Sequence, residues 1–482
     1  MTAAPSIVTP AWRASPAATA REAQLRLLIG SGGDDRLWLD PITRRNRYGA
    51  PACPAPDELW FSSSTASAVS HRGWAAAAEA LARLAEPDSL DIRGWFEALR
   101  GRLIGLYGAA GAAAVLSASG TEAEFVVLDL ALALASVSPL VNIVVAPAET
   151  GSGVPSAASG RHFLGRASLG AAVAKAERLH GWEAADLAME TIEIRQPDGA
   201  LRAEDDVDQE AAGRVERAVA SGAFALLHVL DSSKTGRPGV SRAAAAEILA
   251  RHPGRVLVAI DACQLRCPAD QARRDLAAGF LVMLTGSKFA GGPAFCGATL
   301  LPGGLVEALA ALRPAASPLS PYSAVLDWPR ALRRFTCGLA HPANLGLGLR
   351  WTAALAEIEA YEAIPAGRRA ALLAEFDRAV RARVAADHGL ALLDPPSARA
   401  APGLVPIVHA DGSDPRPVYE ALAEGAAGRR PCHLGQPVAV GARTALRVCA
   451  SMPMIADAAE RGFGAIEADL DEAFASWASL RA

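Results

Sequence analysis

Two apolar runs between residues 256 and 301 each end in a short polar sequence. Asp261-Ala-Cys-Gln264 follows the first run, and Thr285-Gly-Ser-Lys288 follows the second. Apolar runs of this length, bounded by polar and small residues, predict β-strands. Parallel strands of one βαβ unit bring their carboxyl ends to the same sheet edge, where open α/β folds bind ligands. The sequence therefore predicts one site that contains both Asp261 and Lys288.

A carboxylate and a lysine in one site meet the needs of pyridoxal 5'-phosphate. The aldehyde of this cofactor is held by a lysine as a Schiff base, for which Lys288 is the candidate. A neighbouring carboxylate raises the pKa of the pyridine nitrogen, so that the protonated ring accepts electrons from a carbanion, and Asp261 is the candidate for this role. The simpler alternative is that Asp261 is a cap or turn residue and that Lys288 is solvated.

The pattern along the chain predicts an α/β fold with a mainly parallel central sheet flanked by helices. A helix is predicted at 122–135, and strands are predicted at 141–146, 191–195, 224–230, 256–260 and 280–284. A long helix at 342–361 and strands at 404–409 and 445–450 predict a smaller α+β C-terminal domain. We expect an N-terminal leader and arm at 1–59, a large cofactor-binding domain at 60–340 and a small domain at 341–482 with its linking helix.

Charge and cysteine content predict a cytoplasmic protein that binds a small-molecule substrate. The net charge of -4 comes from interspersed charges of both signs, a pattern that does not predict nucleic-acid binding. Seven scattered cysteines do not form a disulfide framework. Residues 125–148 are apolar but interrupted by polar residues, which predicts a buried helix and strand and no membrane span. The first 20 residues, rich in Ala, Pro and Ser, predict a flexible leader without a signal peptide.

A turn of small residues, Ser117-Ala-Ser-Gly-Thr-Glu122, opens the helix predicted at 122–135. Free backbone N–H groups and the positive end of the helix dipole make such a turn a candidate phosphate site. The Thr121 hydroxyl would add a further donor. The same residues also form a good helix cap without any ligand, so both interpretations stay open.

These three motifs, in this order, resemble those of the fold-type I pyridoxal-phosphate enzymes. The resemblance is to the class V aminotransferase branch, which includes cysteine desulfurases, and covers residues 60–480. It implies that Asp261 pairs with the pyridine nitrogen, that Gln264 lies near the ring hydroxyl and that Lys288 holds the cofactor. The residues that it places near the phosphate are Gly120, Thr121, Thr285 and Ser287.

Three further positions are assigned through the resemblance. Thr150 occupies the position of the ring-stacking histidine of desulfurases, so aromatic stacking and an imidazole proton carrier are both missing. Ser233 stands where an asparagine commonly approaches the ring oxygen, although the segment also fits an ordinary polar turn in which Lys234 is solvated. Arg447 matches an arginine that binds the substrate carboxylate; the alternative is a solvated residue of an edge strand.

Two further features of such enzymes are a sulfur-acceptor cysteine and a homodimer. Cysteine desulfurases use a mobile-loop cysteine as sulfur acceptor, but alignment on Gln436-Pro437 places Leu434 at that position and leaves Cys432 two residues away. The resemblance also implies a twofold homodimer. In such a dimer, residues 333–338 would reach the cofactor phosphate bound by the partner subunit. The alternative interpretation is that these residues only lead into a helix.

The residues of the candidate site favour an aminotransferase-like reaction on an α-amino acid. The expected lysine and carboxylate-binding arginine are present, whereas the groups specific to desulfurases are not. A carbon–sulfur or carbon–carbon lyase needs the same cofactor and is the first alternative. The second alternative is a binding protein that keeps the fold and has lost turnover.

Overall fold

A computed structural model of the protein describes residues 16–85, 91–425 and 428–481. The flexible leader expected in the first 20 residues lies mostly outside the described residues. Residues 16–20 of this expected leader belong instead to a helix that continues to Ile29. Within the described ranges, no helix is both long enough and apolar enough to cross a lipid bilayer.

The strands are numbered in chain order. They are β1 (Leu59–Phe61), β2 (Ala113–Ser117), β3 (Leu140–Val145), β4 (Leu187–Ile192), β5 (Phe224–Leu230), β6 (Val256–Ala262), β7 (Leu281–Thr285), β8 (Gly297–Leu301), β9 (Leu390–Leu392), β10 (Leu404–His409), β11 (Cys432–Val440) and β12 (Arg443–Cys449).

The α-helices are numbered in the same way. They are α1 (Pro16–Ile29), α2 (His71–Ala85), α3 (Ile92–Tyr107), α4 (Gly120–Ala135), α5 (Val154–Ala158), α6 (Glu204–Ala220), α7 (Arg242–Arg251), α8 (Ala269–Ala277), α9 (Gly303–Ala310), α10 (Leu345–Glu362), α11 (Ala366–Ala386), α12 (Arg416–Glu424), α13 (Met452–Arg461) and α14 (Gly464–Ser479).

The large sheet has seven strands in the order β2-β8-β7-β6-β5-β3-β4. Five of them, β3 to β7, run parallel, whereas β8 is antiparallel to both of its neighbours, β2 and β7. No helix lies in the connection 286–296 between β7 and β8. A chain without such a crossover turns back as an antiparallel strand. The expectation of a mainly parallel sheet is confirmed.

Side chains along the central strands β6 and β7 alternate between two apolar cores, one on each face of the large sheet. In β6, Val258 and Ile260 belong to the larger core, while Leu257 and Ala259 belong to the other. Helices α3, α6, α7 and α8 pack on the first face, and α4 packs on the second. Strands buried on both faces explain why β5 to β7 are continuous apolar runs in the sequence.

The second sheet has five strands in the order β1-β11-β12-β10-β9. Its strands are antiparallel except for β1, which pairs in parallel with β11 in the register Leu59 to Cys432. A smaller α+β unit is therefore present, as expected, but residues 59–61 also contribute to its sheet. The domain limits at 59 and 340 stay a prediction.

Candidate active site

A cavity of about 520 Å³ lies where the carboxyl ends of β6 and β7 meet the amino end of α4. Strands β11 and β12 of the second sheet close its other side. Most of the residues expected in the site line this cavity: Gly120, Thr121, Thr150, Asp261, Gln264, Thr285, Ser287, Lys288 and Arg447. The structure therefore brings together side chains that are separated by more than 300 positions in the sequence.

Asp261 and Lys288 reach the cavity from neighbouring parallel strands. Asp261 is the penultimate residue of β6 and lies opposite Met283 of β7 in the register. Its Oδ1 accepts a hydrogen bond from the Cys263 amide at 3.0 Å. Lys288 follows the end of β7 in a turn and is half-buried. No carboxylate of the described residues is within ion-pair distance of the Lys288 amine, which leaves this amine available to a ligand.

The amino end of α4 faces the same point. Ser119 caps the helix by accepting the Glu122 amide at 3.2 Å. A Cβ atom on Gly120 would lie only 2.8 Å from Cys263 Sγ and 3.3 Å from a methyl carbon of Thr285. Glycine is thus required for the helix end to approach β6 and β7 this closely, and the N–H groups of this helix end can cradle a phosphate.

Thr285 and Gln264 are held by specific hydrogen bonds. The Thr285 hydroxyl donates to the Cys263 carbonyl oxygen at 2.6 Å, so its proton is already used within the protein. Gln264 Nε2 donates to the Ser64 carbonyl oxygen at 3.1 Å. Gln264 Oε1 is buried and has no partner among the described residues. The amide nitrogen of Gln264 is therefore held by the protein, and the amide oxygen is available to a ligand.

The segment 62–67 is a part of the site that was not predicted from the sequence. Ser64 and Thr65 line the cavity, and the Thr65 hydroxyl accepts hydrogen bonds from the Gln436 amide and from Arg447. Ser62, Ser63 and Ser64 are all buried. Several small hydroxyl residues directly after an apolar strand are the signal that could have identified this segment.

Arg447 is 1% exposed and lies in β12, the central strand of the five-stranded sheet. The alternative of a solvated edge-strand residue is therefore wrong. The guanidinium donates to Thr65 Oγ1 at 3.3 Å, to the Lys234 carbonyl oxygen at 3.4 Å and to the Gln436 carbonyl oxygen. Its Nε has no partner within the described ranges. Burial lowers the pKa of Arg447 to about 10. A buried guanidinium with only neutral partners favours an anionic ligand.

Ser233 does not line the cavity, in contrast to the expectation. Its hydroxyl donates to Glu149 Oε2 at 2.9 Å and accepts the amides of Thr235 and Arg237 at 3.1 and 3.2 Å. These bonds orient Ser233 toward Glu149, which forms an ion pair with Arg195 at 2.5 Å. The neighbours on either side of Ser233, Ser232 and Lys234, line the cavity instead.

Thr150 lies at the cavity wall, and its hydroxyl donates to the Pro147 carbonyl oxygen at 3.1 Å. A threonine cannot stack on an aromatic ring as a histidine would. Cys432 is buried in β11 and does not line the cavity. Burial raises the pKa of the Cys432 thiol to about 12, so this thiol stays protonated and unreactive at neutral pH. Leu434, the other residue considered at this position, is also buried.

Lysine is rare in this protein, and this rarity is a signal in the sequence that points to the same site. Of the 47 basic residues, only Lys175, Lys234 and Lys288 are lysine, and all three line the cavity. Lys175 is exposed, whereas Lys234, like Lys288, is half-buried. Burial and the charges of Arg447 and Lys288 lower the pKa of Lys234 to about 8.

No protein-family model matches the sequence, and no curated protein matches it. Solved structures do match. The cysteine desulfurase CsdA of Escherichia coli matches with a TM-score of 0.53 at 13% identity, over 85% of this chain and 95% of that chain. The phosphoserine aminotransferase SerC of Cytophaga hutchinsonii matches with a TM-score of 0.55 at 14% identity, over 87% of this chain and 99% of that chain.

A third structure is a C-DES mutant with glycine covalently linked to its PLP cofactor. It matches with a TM-score of 0.55 at 14% identity, over 86% of this chain and 96% of that chain. The chain has the fold of these proteins. The expectation of a fold-type I architecture is thus confirmed across nearly the whole length of each matched structure.

Proposed function

We propose that this protein is a pyridoxal-5'-phosphate-dependent enzyme that acts on an α-amino acid in an aminotransferase-like reaction. The observation that carries the proposal is the position of Asp261 and Lys288. Asp261 lies near the end of β6, Lys288 follows the end of the adjacent parallel strand β7, and both line one cavity that the amino end of α4 also faces. The cofactor bound by the C-DES structure and the aminotransferase among the matched structures support the same conclusion.

The cavity residues fit this cofactor. Gly120 leaves room that a Cβ atom would fill, and the N–H groups of the α4 amino end, with Thr121 and Ser287, would hold the phosphate. The unpartnered Oε1 of Gln264 would accept a hydrogen bond beside the ring. Asp261 would bind the pyridine nitrogen and keep its proton in place. Lys288 would attach the aldehyde.

When bound, pyridoxal phosphate supplies an electron-accepting ring that stabilises negative charge on the carbon next to the amino group. Lys288 is the group of the chain that would move a proton from and to the reacting carbon. Arg447 would bind the substrate carboxylate through its two-pronged guanidinium and so orient that carbon toward Lys288. Thr65 and Gln436 hold the Arg447 side chain in position.

The surroundings of Cys432 and Cys263 favour amino-group transfer over desulfuration. A sulfur acceptor needs an accessible thiol with thiolate character, and Cys432 has neither property. Cys263 lines the cavity, but it is buried, and burial raises the pKa of its thiol well above the usual value. The two alternatives, a lyase of another kind and a binding protein without turnover, predict different results in an amino-group exchange experiment.

A twofold homodimer in the cytoplasm is part of the proposal. The resemblance of the motifs supports the homodimer. All seven cysteines are free thiols in the structure, which fits a reducing compartment.

Exchange of amino groups tests the proposed reaction. The purified enzyme, saturated with pyridoxal phosphate, is incubated with a panel of amino acids and isotopically labelled keto acids, and labelled amino acids are measured. We expect transfer of label from at least one keto acid into its amino acid. Release of ammonia or of a side-chain fragment without exchange would indicate a lyase, and no conversion with any donor would contradict the enzyme proposal.

A further inference from the structure

Lys234 is a cavity residue that the proposed reaction does not use. It follows β5 in the turn that also contains Ser233. Its amide donates to the Glu149 carbonyl oxygen at 2.8 Å, and its carbonyl oxygen accepts a hydrogen bond from Arg447 Nη1 at 3.4 Å. These two bonds fix the backbone of Lys234 beside Arg447 while its side chain lines the cavity.

The amine of Lys234 has no carboxylate of its own. Throughout the described part of the chain, no acidic side chain is within ion-pair distance of it. Glu149 is the acidic residue whose charge acts on Lys234, but its carboxylate binds Arg195 at 2.5 Å and also accepts the hydroxyls of Ser233 and Thr235. Glu149 lines the cavity, but its charge is already neutralised by Arg195, which does not line the cavity.

The charges of the cavity residues around Lys234 and Arg447 do not balance. Lys234 and Arg447 are adjacent cations, and the other cavity carboxylate, Asp261, is assigned to the cofactor. Two neighbouring cations that are largely shielded from water repel each other unless anions lie between or beside them. One carboxylate bound by Arg447 would leave the positive charge of Lys234 uncompensated. This part of the cavity thus has one more positive charge than an amino acid with a single carboxylate would neutralise.

We infer that the substrate carries a second carboxylate, and that Lys234 binds it while Arg447 binds the α-carboxylate. The preferred substrates are then amino acids with an acidic side chain, together with the corresponding keto acids. This inference rests on the proposed function, because that proposal assigns Arg447 to the α-carboxylate and Asp261 to the cofactor. Lys234 acts as a specificity residue and takes no part in bond breaking.

A comparison of two carboxylic acids of equal chain length tests this inference without turnover. Glutarate has two carboxylates and valerate has one. Binding of each acid to the cofactor-saturated enzyme is measured by calorimetry for the wild type, for Lys234→Gln and for Lys175→Gln. The last variant is the matched control, since Lys175 lines the same cavity with an exposed side chain.

We expect the wild type to bind glutarate about 10- to 100-fold more tightly than valerate, the range of one charge-assisted contact in a partly dry site. Lys234→Gln should reduce this preference to about threefold or less, and Lys175→Gln should keep it within about twofold of the wild-type ratio, because exposed charges are screened. Equal binding of the two acids by the wild type would overturn the inference. The inference would also be overturned if Lys234→Gln kept the wild-type preference for glutarate, or if Lys175→Gln lost this preference to the same extent as Lys234→Gln.

Failure of the proposed function would be visible separately. Borohydride reduction and peptide mass analysis of the same samples report whether the cofactor is attached to Lys288. Attachment together with equal binding of the two acids would overturn the role of Lys234 alone. Missing attachment in the wild type would overturn the proposed function, and the inference about Lys234 with it.

Discussion

The Thr285 hydroxyl donates to the Cys263 carbonyl oxygen at 2.6 Å and thereby joins the carboxyl end of β7 to that of β6. Asp261 lies two residues before Cys263, and Lys288 lies three residues after Thr285. This buried hydrogen bond therefore fixes the two strand ends from which the proposed catalytic residues extend. Its geometry explains why a threonine at this position is useful even though its proton does not point to a ligand.

Loss of this hydrogen bond should destabilise the protein. Thr285→Val keeps the shape of the side chain and removes the donor, so the free energy of unfolding should fall by about 1–2 kcal/mol. Thr285→Ser is the matched control, because it keeps the hydroxyl. Chemical denaturation of both variants in the absence of cofactor checks this prediction. An unchanged free energy of unfolding in Thr285→Val, or a loss in Thr285→Ser as large as that in Thr285→Val, would contradict this role of the hydrogen bond.

A methyl group at Gly120 should weaken cofactor binding. The new Cβ atom would lie 2.8 Å from Cys263 Sγ, so the amino end of α4 must move away from the ends of β6 and β7. Because overpacking costs about 1–3 kcal/mol, we expect Gly120→Ala to bind pyridoxal phosphate about tenfold more weakly in an equilibrium titration. Gly101→Ala in α3, where a Cβ atom meets nothing within 4 Å, should bind like the wild type. Wild-type affinity in Gly120→Ala would contradict the proposed phosphate cradle.

Glu122 should make the protein less stable as the pH rises. Burial and the nearby charge of Asp34 raise the pKa of Glu122 to about 8 in the folded state, whereas an unfolded glutamate ionises near 4.5. Between these two values the folded state holds a proton that the unfolded state has released, so the free energy of unfolding falls with increasing pH. Glu122→Gln cannot ionise and should lose this part of the pH dependence. Denaturation curves between pH 5 and pH 8 measure the effect. Parallel pH profiles of wild type and variant would contradict the prediction.

Arg447 should act on substrate binding and not on cofactor binding. Arg447→Lys keeps the positive charge but loses the two-pronged donor, and we expect kcat/KM to fall about 100-fold, mainly through KM. The absorption of the bound cofactor should stay unchanged. Arg443→Lys, at the start of the same strand and outside the cavity, is the matched control and should behave like the wild type. Loss of cofactor in Arg447→Lys would assign Arg447 to the cofactor instead.

The strands of the large sheet were predictable where both faces are buried. Strands β5, β6 and β7 are continuous apolar runs, and their predicted limits agree with the structure to within one or two residues. Strands β2 and β8 were not predicted, because Ala113–Ser117 is rich in alanine and Gly297–Leu301 begins with small residues. Such sequences have low intrinsic preference for strands, and tertiary pairing overrides that preference.

The position of Arg447 shows how a missed strand changes the interpretation of a residue. Strand β11 contains Gly435 and Pro437 and has a register shift between Gly435 and Val438, so its sequence resembles a loop. Without β11 and the short β1, strand β12 looked like the edge of its sheet. In the structure it is the central strand, and this position buries Arg447.

The site residues were predictable where a motif directly follows a strand. They were not predictable where a turn residue can direct its side chain either into the cavity or away from it. The position of Ser233 in its turn was assigned through the resemblance, but the turn directs its hydroxyl to Glu149. The contribution of 62–67 depends on contacts with residues about 200 and 380 positions away. Local sequence does not encode such contacts.

The most direct test of the central claim is the attachment of the cofactor to Lys288. The purified wild type and Lys288→Ala are saturated with pyridoxal phosphate, their near-visible spectra are recorded, and both are reduced with borohydride and analysed by peptide mass. We predict a cofactor absorption band in the wild type that differs from that of the variant, and the added cofactor mass on the peptide that contains Lys288. A wild-type protein that acquires no cofactor mass at saturation, or acquires it equally on Lys175 or Lys234, would contradict the proposed function.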